Sequence, residues 1–147
     1  MPALTRRPVK DSHQQGWHVY YFDVLAGWIG ERAGVPHDGD HWGWHCGFHP
    51  GSHPGECTRG AAATFDDARA GFMRDWQVFL SKRSPADFEE WRYQRAHNAW
   101  KQAIWDAGHK LPTQAVAGMS KCFCGAIINV KTSGDHVRAR HMEKAAN

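Results

Sequence analysis

The chain has 147 residues, a formal net charge of +3 and eight tryptophans. A chain of this length has room for one domain with a small appendage, and it contains no run of about 18 apolar residues that would predict a membrane span. No apolar segment follows the basic N-terminus, so we expect no secretory signal and a cytoplasmic protein. Basic residues concentrate at the two ends and acidic residues in the middle. This asymmetry favours nucleic-acid contact through the ends, although short basic tails also simply aid solubility.

The first half of the chain predicts a short antiparallel sheet. Residues 1–15 are polar and without periodicity, so we expect a flexible arm. Aromatic and β-branched residues predict strands over 17–22 and 24–30, joined by a tight turn. A third strand is predicted over 41–48, because alternate apolar residues fall on one face there. A turn-rich loop is expected over 50–55.

Two helices are predicted next, each with a start signal. Thr64 precedes Asp67 by three residues, a capping-box pattern with Asp in place of Glu. Ser84 precedes Pro85, which suits the first position of a helix. The first helix carries one apolar stripe at helical spacing: Phe65, Ala68, Phe72, Trp76 and Phe79. The second helix is predicted to run to Ala107, with Gly108 as its stop.

These elements predict an α+β protein in which a three-stranded antiparallel sheet is followed by two helices. We assign this body to residues 16–108, a linker to 109–120 and a separate module to 121–147. Within the body, Trp42-Gly43-Trp44 is followed by Cys46-Gly47-Phe48 and by a Pro-Gly-Ser-His-Pro-Gly-Glu segment. On these motifs, residues 17–107 resemble small uncharacterised bacterial proteins, and that resemblance implies no known activity.

The C-terminal module contains the clearest chemical signal. One residue separates Cys122 from Cys124, and four residues separate His136 from His141. Two thiolates and two imidazoles complete a tetrahedral zinc site, and so small a core would need such a metal to fold. The segment 121–142 resembles a two-cysteine, two-histidine zinc finger, which implies these four residues as the zinc ligands.

The resemblance to a finger has three departures. The cysteines are one residue apart instead of two to four, and eleven residues instead of about twelve precede the first histidine. Gly134 also occupies a position that is helical in DNA-reading fingers. The ligands of the finger therefore carry over to this chain, whereas its base-reading positions do not. A disordered basic tail is the alternative interpretation of the segment.

We predict a non-enzymatic zinc protein that contacts nucleic acid through this module. The candidate phosphate contacts are basic side chains around the ligands: Lys121, Lys131, Arg138, Arg140 and Lys144. The alternative is a protein-interaction or assembly module with a purely structural zinc. In this alternative, aromatic residues such as Trp100 on the second helix contact a partner or a second copy.

A second group of candidate metal ligands lies in the middle of the chain: His37, His41, His45, Cys46, His49, His53 and Cys57. The histidines recur every four residues, but the interspersed glycines and prolines argue against a helix that would align them. A metal-dependent enzyme that uses this loop remains a third hypothesis. We find no nucleophile, base and orienting group together, no phosphate-binding glycine loop and no zinc-deaminase motif.

Overall fold

The computed structural model describes residues 4–10, 13–48 and 56–142. Over these ranges the protein is α+β, with a five-stranded antiparallel sheet, a two-stranded sheet and three α-helices. The chain divides into two compact units, residues 1–91 and 92–147. None of the described helices combines the length and the apolar character that a membrane crossing requires.

The larger sheet lies in the first unit, and its strands are adjacent in chain order. The strands are β1 Leu4–Pro8, β2 Gly16–Tyr21, β3 Val24–Glu31, β4 Trp42–Cys46 and β5 Thr58–Ala62. The prediction of a three-stranded sheet is therefore wrong, because β1 and β5 extend it at both edges. The loop predicted over 50–55 lies outside the described residues.

The two additional strands have no apolar alternation that would reveal them. β1 has the sequence Leu-Thr-Arg-Arg-Pro and lies in the segment predicted as a flexible arm, yet it pairs with β2 along its whole length. β5 has the sequence Thr-Arg-Gly-Ala-Ala and pairs with β4. Edge strands are held mainly by backbone hydrogen bonds to one neighbour. The pattern of side chains in the sequence does not reveal these backbone hydrogen bonds.

Helix α1, Phe65–Ser81, covers one face of the sheet. Its predicted apolar stripe is confirmed, since Ala68, Phe72, Trp76 and Phe79 are all buried. These side chains pack against the buried residues of the sheet: Val19, Val24, Ala26, Ile29 and Cys46, with Phe48 just beyond β4. Burial of this much apolar surface is the main stabilisation available to the first unit.

The predicted start of α1 is also confirmed, and it allows a direct stability test. The hydroxyl of Thr64 accepts a hydrogen bond of 3.1 Å from the Asp67 N–H. We expect Thr64→Ala to lower the free energy of unfolding by about 1 kcal/mol, because one helix N–H loses its partner. Urea denaturation of Thr64→Ser, which keeps the hydroxyl, is the matched control. An alanine variant as stable as the serine variant would contradict this role.

Helix α2, Pro85–Asp106, contains Pro85 at its first position, as predicted. The Ser84 N–H donates to the Asp87 carboxylate at 2.8 Å, which fixes the helix start. Gly108 ends the helix with a φ of +74°, a conformation that favours glycine. The N–H of His109 returns to the Ile104 carbonyl at 3.0 Å and satisfies one of the last helix carbonyls.

The second unit combines the later part of α2 with the C-terminal elements. These are a 3₁₀ turn at Pro112–Gln114, the hairpin strands β6 Met119–Lys121 and β7 Ile127–Asn129, and helix α3 Ser133–Arg140. Its buried core has five residues: Trp100, Ile104, Cys122, Ile128 and Val137. Trp100 and Ile104 come from α2, so the finger-like module shares its core with the helix that precedes it.

Candidate metal centre

The β6–β7 hairpin positions the two cysteines. The N–H of Cys122 donates to the Ala126 carbonyl at 2.8 Å, and the N–H of Gly125 donates to the Cys122 carbonyl at 2.9 Å. Gly125 has a φ of +97°, which the short turn requires and which side chains disfavour. The turn therefore holds Cys122 buried at the end of β6 and Cys124 exposed at its tip.

Helix α3 positions the two histidines. The side chain of Asn129 accepts the N–H groups of Lys131 and Thr132, each at 2.9 Å, and this turn directs the chain into the helix. A spacing of five residues would place His136 and His141 about 140° apart around a regular helix. His141 instead lies at the C-cap with a φ of −125°, outside the helical range. Its ring can therefore lie beside that of His136.

Three of the six separations among the four ligand atoms are close to those of a tetrahedral zinc site. All four atoms lie within 4.8 Å of one another. The Cys122 Sγ–His141 Nε2 and Cys124 Sγ–His136 Nε2 distances are both 3.5 Å, and the two Nε2 atoms are 3.1 Å apart. Zinc bond lengths of about 2.3 Å to sulfur and about 2.05 Å to nitrogen imply tetrahedral edges of about 3.6 Å and 3.3 Å. The group could therefore hold a metal ion.

Family models, curated proteins and solved structures contain no match to this chain. The candidate metal centre is therefore defined by its own residues and geometry.

The surroundings of the ligands favour the protonation states that bind a metal. The pKa of Cys124 is lowered, chiefly by the Ala126 N–H and further by Cys122 and Arg140. The pKa of His141 is lowered by its partial burial, by His136 and by Arg140. A lowered thiol pKa favours the thiolate, and a lowered imidazole pKa favours the neutral ring. Metals bind these two forms.

Trp100 adds a contact that the sequence analysis did not assign to the site. Its indole Nε1–H donates to Cys122 Sγ at 3.3 Å, and its side chain is buried. The ring also meets that of His136 with centroids 6.4 Å apart. A buried indole N–H normally has an acceptor, and groups around the ligands orient them. The sequence analysis named Trp100 as a contact for a partner or a second copy, and it could not reveal this sulfur contact.

The structure also shows what surrounds the start of α3. A Cβ on Gly134 would lie 3.0 Å from the Tyr93 hydroxyl oxygen, so glycine leaves room for that side chain. The guanidinium of Arg138 lies 3.8 Å from the Tyr93 ring centroid. One side of α3 is therefore occupied by α2, unlike the free recognition helix of a DNA-reading finger. Gly134 itself lies within α3, so this position is helical here, contrary to the departure expected from the sequence.

The predicted nucleic-acid contacts are placed at the surface wherever they are described. Lys121, Lys131, Arg138 and Arg140 are all exposed, although Arg138 is stacked on Tyr93. Lys144 lies outside the described residues.

The second cluster of candidate ligands is divided by the sheet. His45 and Cys46 are neighbours on β4 and point to opposite faces, with Cys46 in the core. The His41 ring contacts the His37 carbonyl oxygen at 3.1 Å through Nε2. Among the described residues, the one group that could hold a metal ion is the C-terminal set of two cysteines and two histidines. His49 and His53 lie outside them.

Cys46 is expected to be chemically inert. Burial raises its pKa to about 12, with further contributions from Asp75 and Cys57. With this pKa, only about one molecule in ten thousand would carry the Cys46 thiolate at pH 8. The thiolate is the reactive form of cysteine, so Cys46 should react very slowly. We expect iodoacetamide at pH 8 with EDTA to modify the exposed Cys124 and to leave Cys46 unmodified. Peptide mass spectrometry measures both, and urea should expose Cys46. Labelling of Cys46 in the folded protein would contradict its burial.

Proposed function

We propose that the protein binds one zinc ion through Cys122, Cys124, His136 and His141, and that the surrounding basic surface contacts nucleic acid. The observation that carries the proposal is the convergence of the four ligand atoms within 4.8 Å, with three separations close to tetrahedral zinc edges. Thiolate and imidazole ligands in this geometry select zinc over harder cations such as magnesium and calcium. Four protein ligands leave no position for substrate, so the zinc has a structural role.

Nucleic-acid contact is supported by the charge of the module and by its exposure. Lys121, Lys131 and Arg140 project from the hairpin, from the turn after it and from the end of α3, and all are exposed. Lysine and arginine bind phosphates by releasing counterions, without reading sequence. Because α2 occupies one side of α3, we favour backbone contact over base reading.

The test combines metal analysis with filter binding at low salt. We expect one zinc per chain, and retention of DNA or RNA that weakens steeply as salt increases. The double variant Lys121→Gln/Lys131→Gln should reduce the salt slope by about 2, because each phosphate contact on duplex DNA contributes about 0.9. The matched control, Lys82→Gln/Lys101→Gln, removes the same charge from two exposed positions, one at the C-cap of α1 and one within α2. Absence of retention at low salt, or equal effects of both pairs, would overturn nucleic-acid contact through the module.

A second candidate function, protein interaction with a purely structural zinc, is favoured by the apolar surface of the second unit. Six of the eight large apolar side chains that are exposed in the described residues lie there: Trp105, Val116, Met119, Phe123, Ile127 and Val130. Trp100 is buried beside Cys122, so Trp105 is the appropriate probe on α2. Sedimentation should detect a dimer that Trp105→Ser dissociates, and a monomer at all concentrations would oppose self-association.

A further inference from the structure

The outer face of the five-stranded sheet, opposite α1, carries a continuous row of aromatic and basic side chains. We call it the outer row. Its members are directly opposite one another on consecutive strands: Arg7, His18, Trp28, His45 and Arg59. Directly paired residues of a sheet project from the same face. All five side chains therefore lie on one surface, and all are at least partly exposed.

Trp28 lies at the centre of the outer row, with the Nε1–Cζ2 edge of its indole against two glycines of the sheet. Gly16 and Gly30 are paired beside it on the same face. A Cβ on Gly30 would overlap the Trp28 ring at Cζ2, and one on Gly16 would lie 2.9 Å from Nε1. The two missing side chains leave the space that the indole fills. Trp28 is partly exposed, so part of its ring is accessible to a ligand.

A shallow hollow of about 540 Å³ lies beside Trp28. Its lining includes Gly43, Ala61, Arg32 and the outer-row residues His45 and Arg59. The stem of Arg32 crosses Gly43, and its guanidinium donates to the Asp40 carbonyl oxygen at 2.9 Å. Two guanidinium groups thus border a hollow that has an aromatic wall.

The charge of this face is one-sided. The outward positions of the five strands, given by the strand register, are Thr5, Arg7, Gly16, His18, Tyr20, Leu25, Trp28, Gly30, Gly43, His45, Arg59 and Ala61. None of these described positions is occupied by an aspartate or a glutamate. The guanidinium of Arg7 also lies 4.6 Å from the ring centroid of Tyr20, a second aromatic residue of the face. A polyanion with planar groups complements this combination.

We propose that the outer row binds single-stranded nucleic acid. An unpaired base stacks on Trp28, and the phosphates on either side of it contact Arg59 and Arg32 in one direction and Arg7 in the other. Four strand spacings give the row a length of about 19 Å, which suits an extended strand crossing the sheet. Stacking on an aromatic ring requires a base that is not paired, so duplexes should bind this face less tightly. The surface lies in residues 1–91 and uses none of the zinc ligands, so it extends beyond the function proposed above.

The test measures fluorescence anisotropy of short labelled single strands and duplexes with the full-length zinc-loaded protein. We expect Trp28→Leu to weaken single-strand binding about tenfold. Trp105→Leu, which changes an exposed tryptophan outside the sheet, should have no effect. Arg59→Gln should lower the salt slope by about 0.7, the contribution of one phosphate contact on a single strand. Unchanged single-strand affinity in Trp28→Leu would overturn the proposal.

Two further sets of variants cover an unfolded Trp28→Leu protein and separate the two proposed binding surfaces. If circular dichroism shows that Trp28→Leu is unfolded, the exposed changes Arg32→Gln and Arg59→Gln decide, and unchanged affinity in both overturns the outer row. The pair Lys121→Gln/Lys131→Gln separates the two proposals. Loss of all single-strand binding in that pair, with no effect at Trp28, supports the module and rejects the outer row. The reverse pattern supports the outer row and rejects the module.

Discussion

Replacing Cys122 by serine is expected to release the metal and to unfold the second unit. The five-residue buried core of this unit includes Cys122 itself, so the apolar core is small without a metal. Structural zinc contributes about 10–16 kcal/mol of apparent free energy in finger peptides, far more than such a core can replace. The lost thiolate would also remove the acceptor of the buried Trp100 N–H, which adds a desolvation cost.

Hydrogen exchange followed at the amides of β6, β7 and α3 measures this expected unfolding, with metal content determined in parallel. EDTA should produce the same loss of protection in the unchanged protein. The control is Cys57→Ser, which changes a cysteine outside the ligand group and should keep the zinc. Protected amides in the metal-free Cys122→Ser protein would show that the unit folds without the ion.

Replacing Trp76 by alanine is expected to produce the largest loss of stability in the first unit. Trp76 is fully buried, and its ring meets those of Tyr21 and Phe79 at centroid distances of 5.4 and 5.6 Å. Removing a buried tryptophan side chain leaves a cavity and costs about 3–5 kcal/mol. Urea denaturation should show a lower midpoint with little change in slope.

Trp76→Phe is the informative companion to this change. The indole Nε1–H of Trp76 is buried and has no hydrogen-bond partner among the described residues. Phenylalanine keeps an aromatic ring against Tyr21 and Phe79 while removing this unsatisfied donor, so part of the cavity cost is offset. We expect Trp76→Phe to be clearly more stable than Trp76→Ala. Equal destabilisation by both would mean that the packing of the full indole outweighs the cost of its buried N–H.

Helices with complete local signals could be predicted from the sequence, whereas contacts between distant residues could not. The cap at Thr64 and the stop at Gly108 act within a few residues of each helix end, so the sequence contains the whole interaction. β1 has no such local signal. Its Arg6 and Arg7 suggest a solvated arm, and its strand conformation depends on pairing with the distant residues of β2.

The candidate metal centre divides in the same way. The identity of its four candidate ligands follows from spacing and ligand chemistry, which are properties of a short segment. The Trp100 contact crosses 22 residues, and no spacing rule connects an indole to a distant sulfur. The outer row likewise depends on the register of five strands, two of which the sequence did not predict.

The unequal exposure of the two cysteines determines how the centre would fail under oxidative stress. Cys122 is enclosed and its sulfur already accepts the Trp100 N–H, whereas Cys124 is exposed and has a lowered pKa. Peroxides act on accessible thiolates. Damage should therefore begin at Cys124, first to the reversible sulfenic acid and then, with stronger oxidants, to irreversible products. The exposed sulfur of Cys124 thus determines how long the centre survives oxidation, although burial protects the sulfur of Cys122.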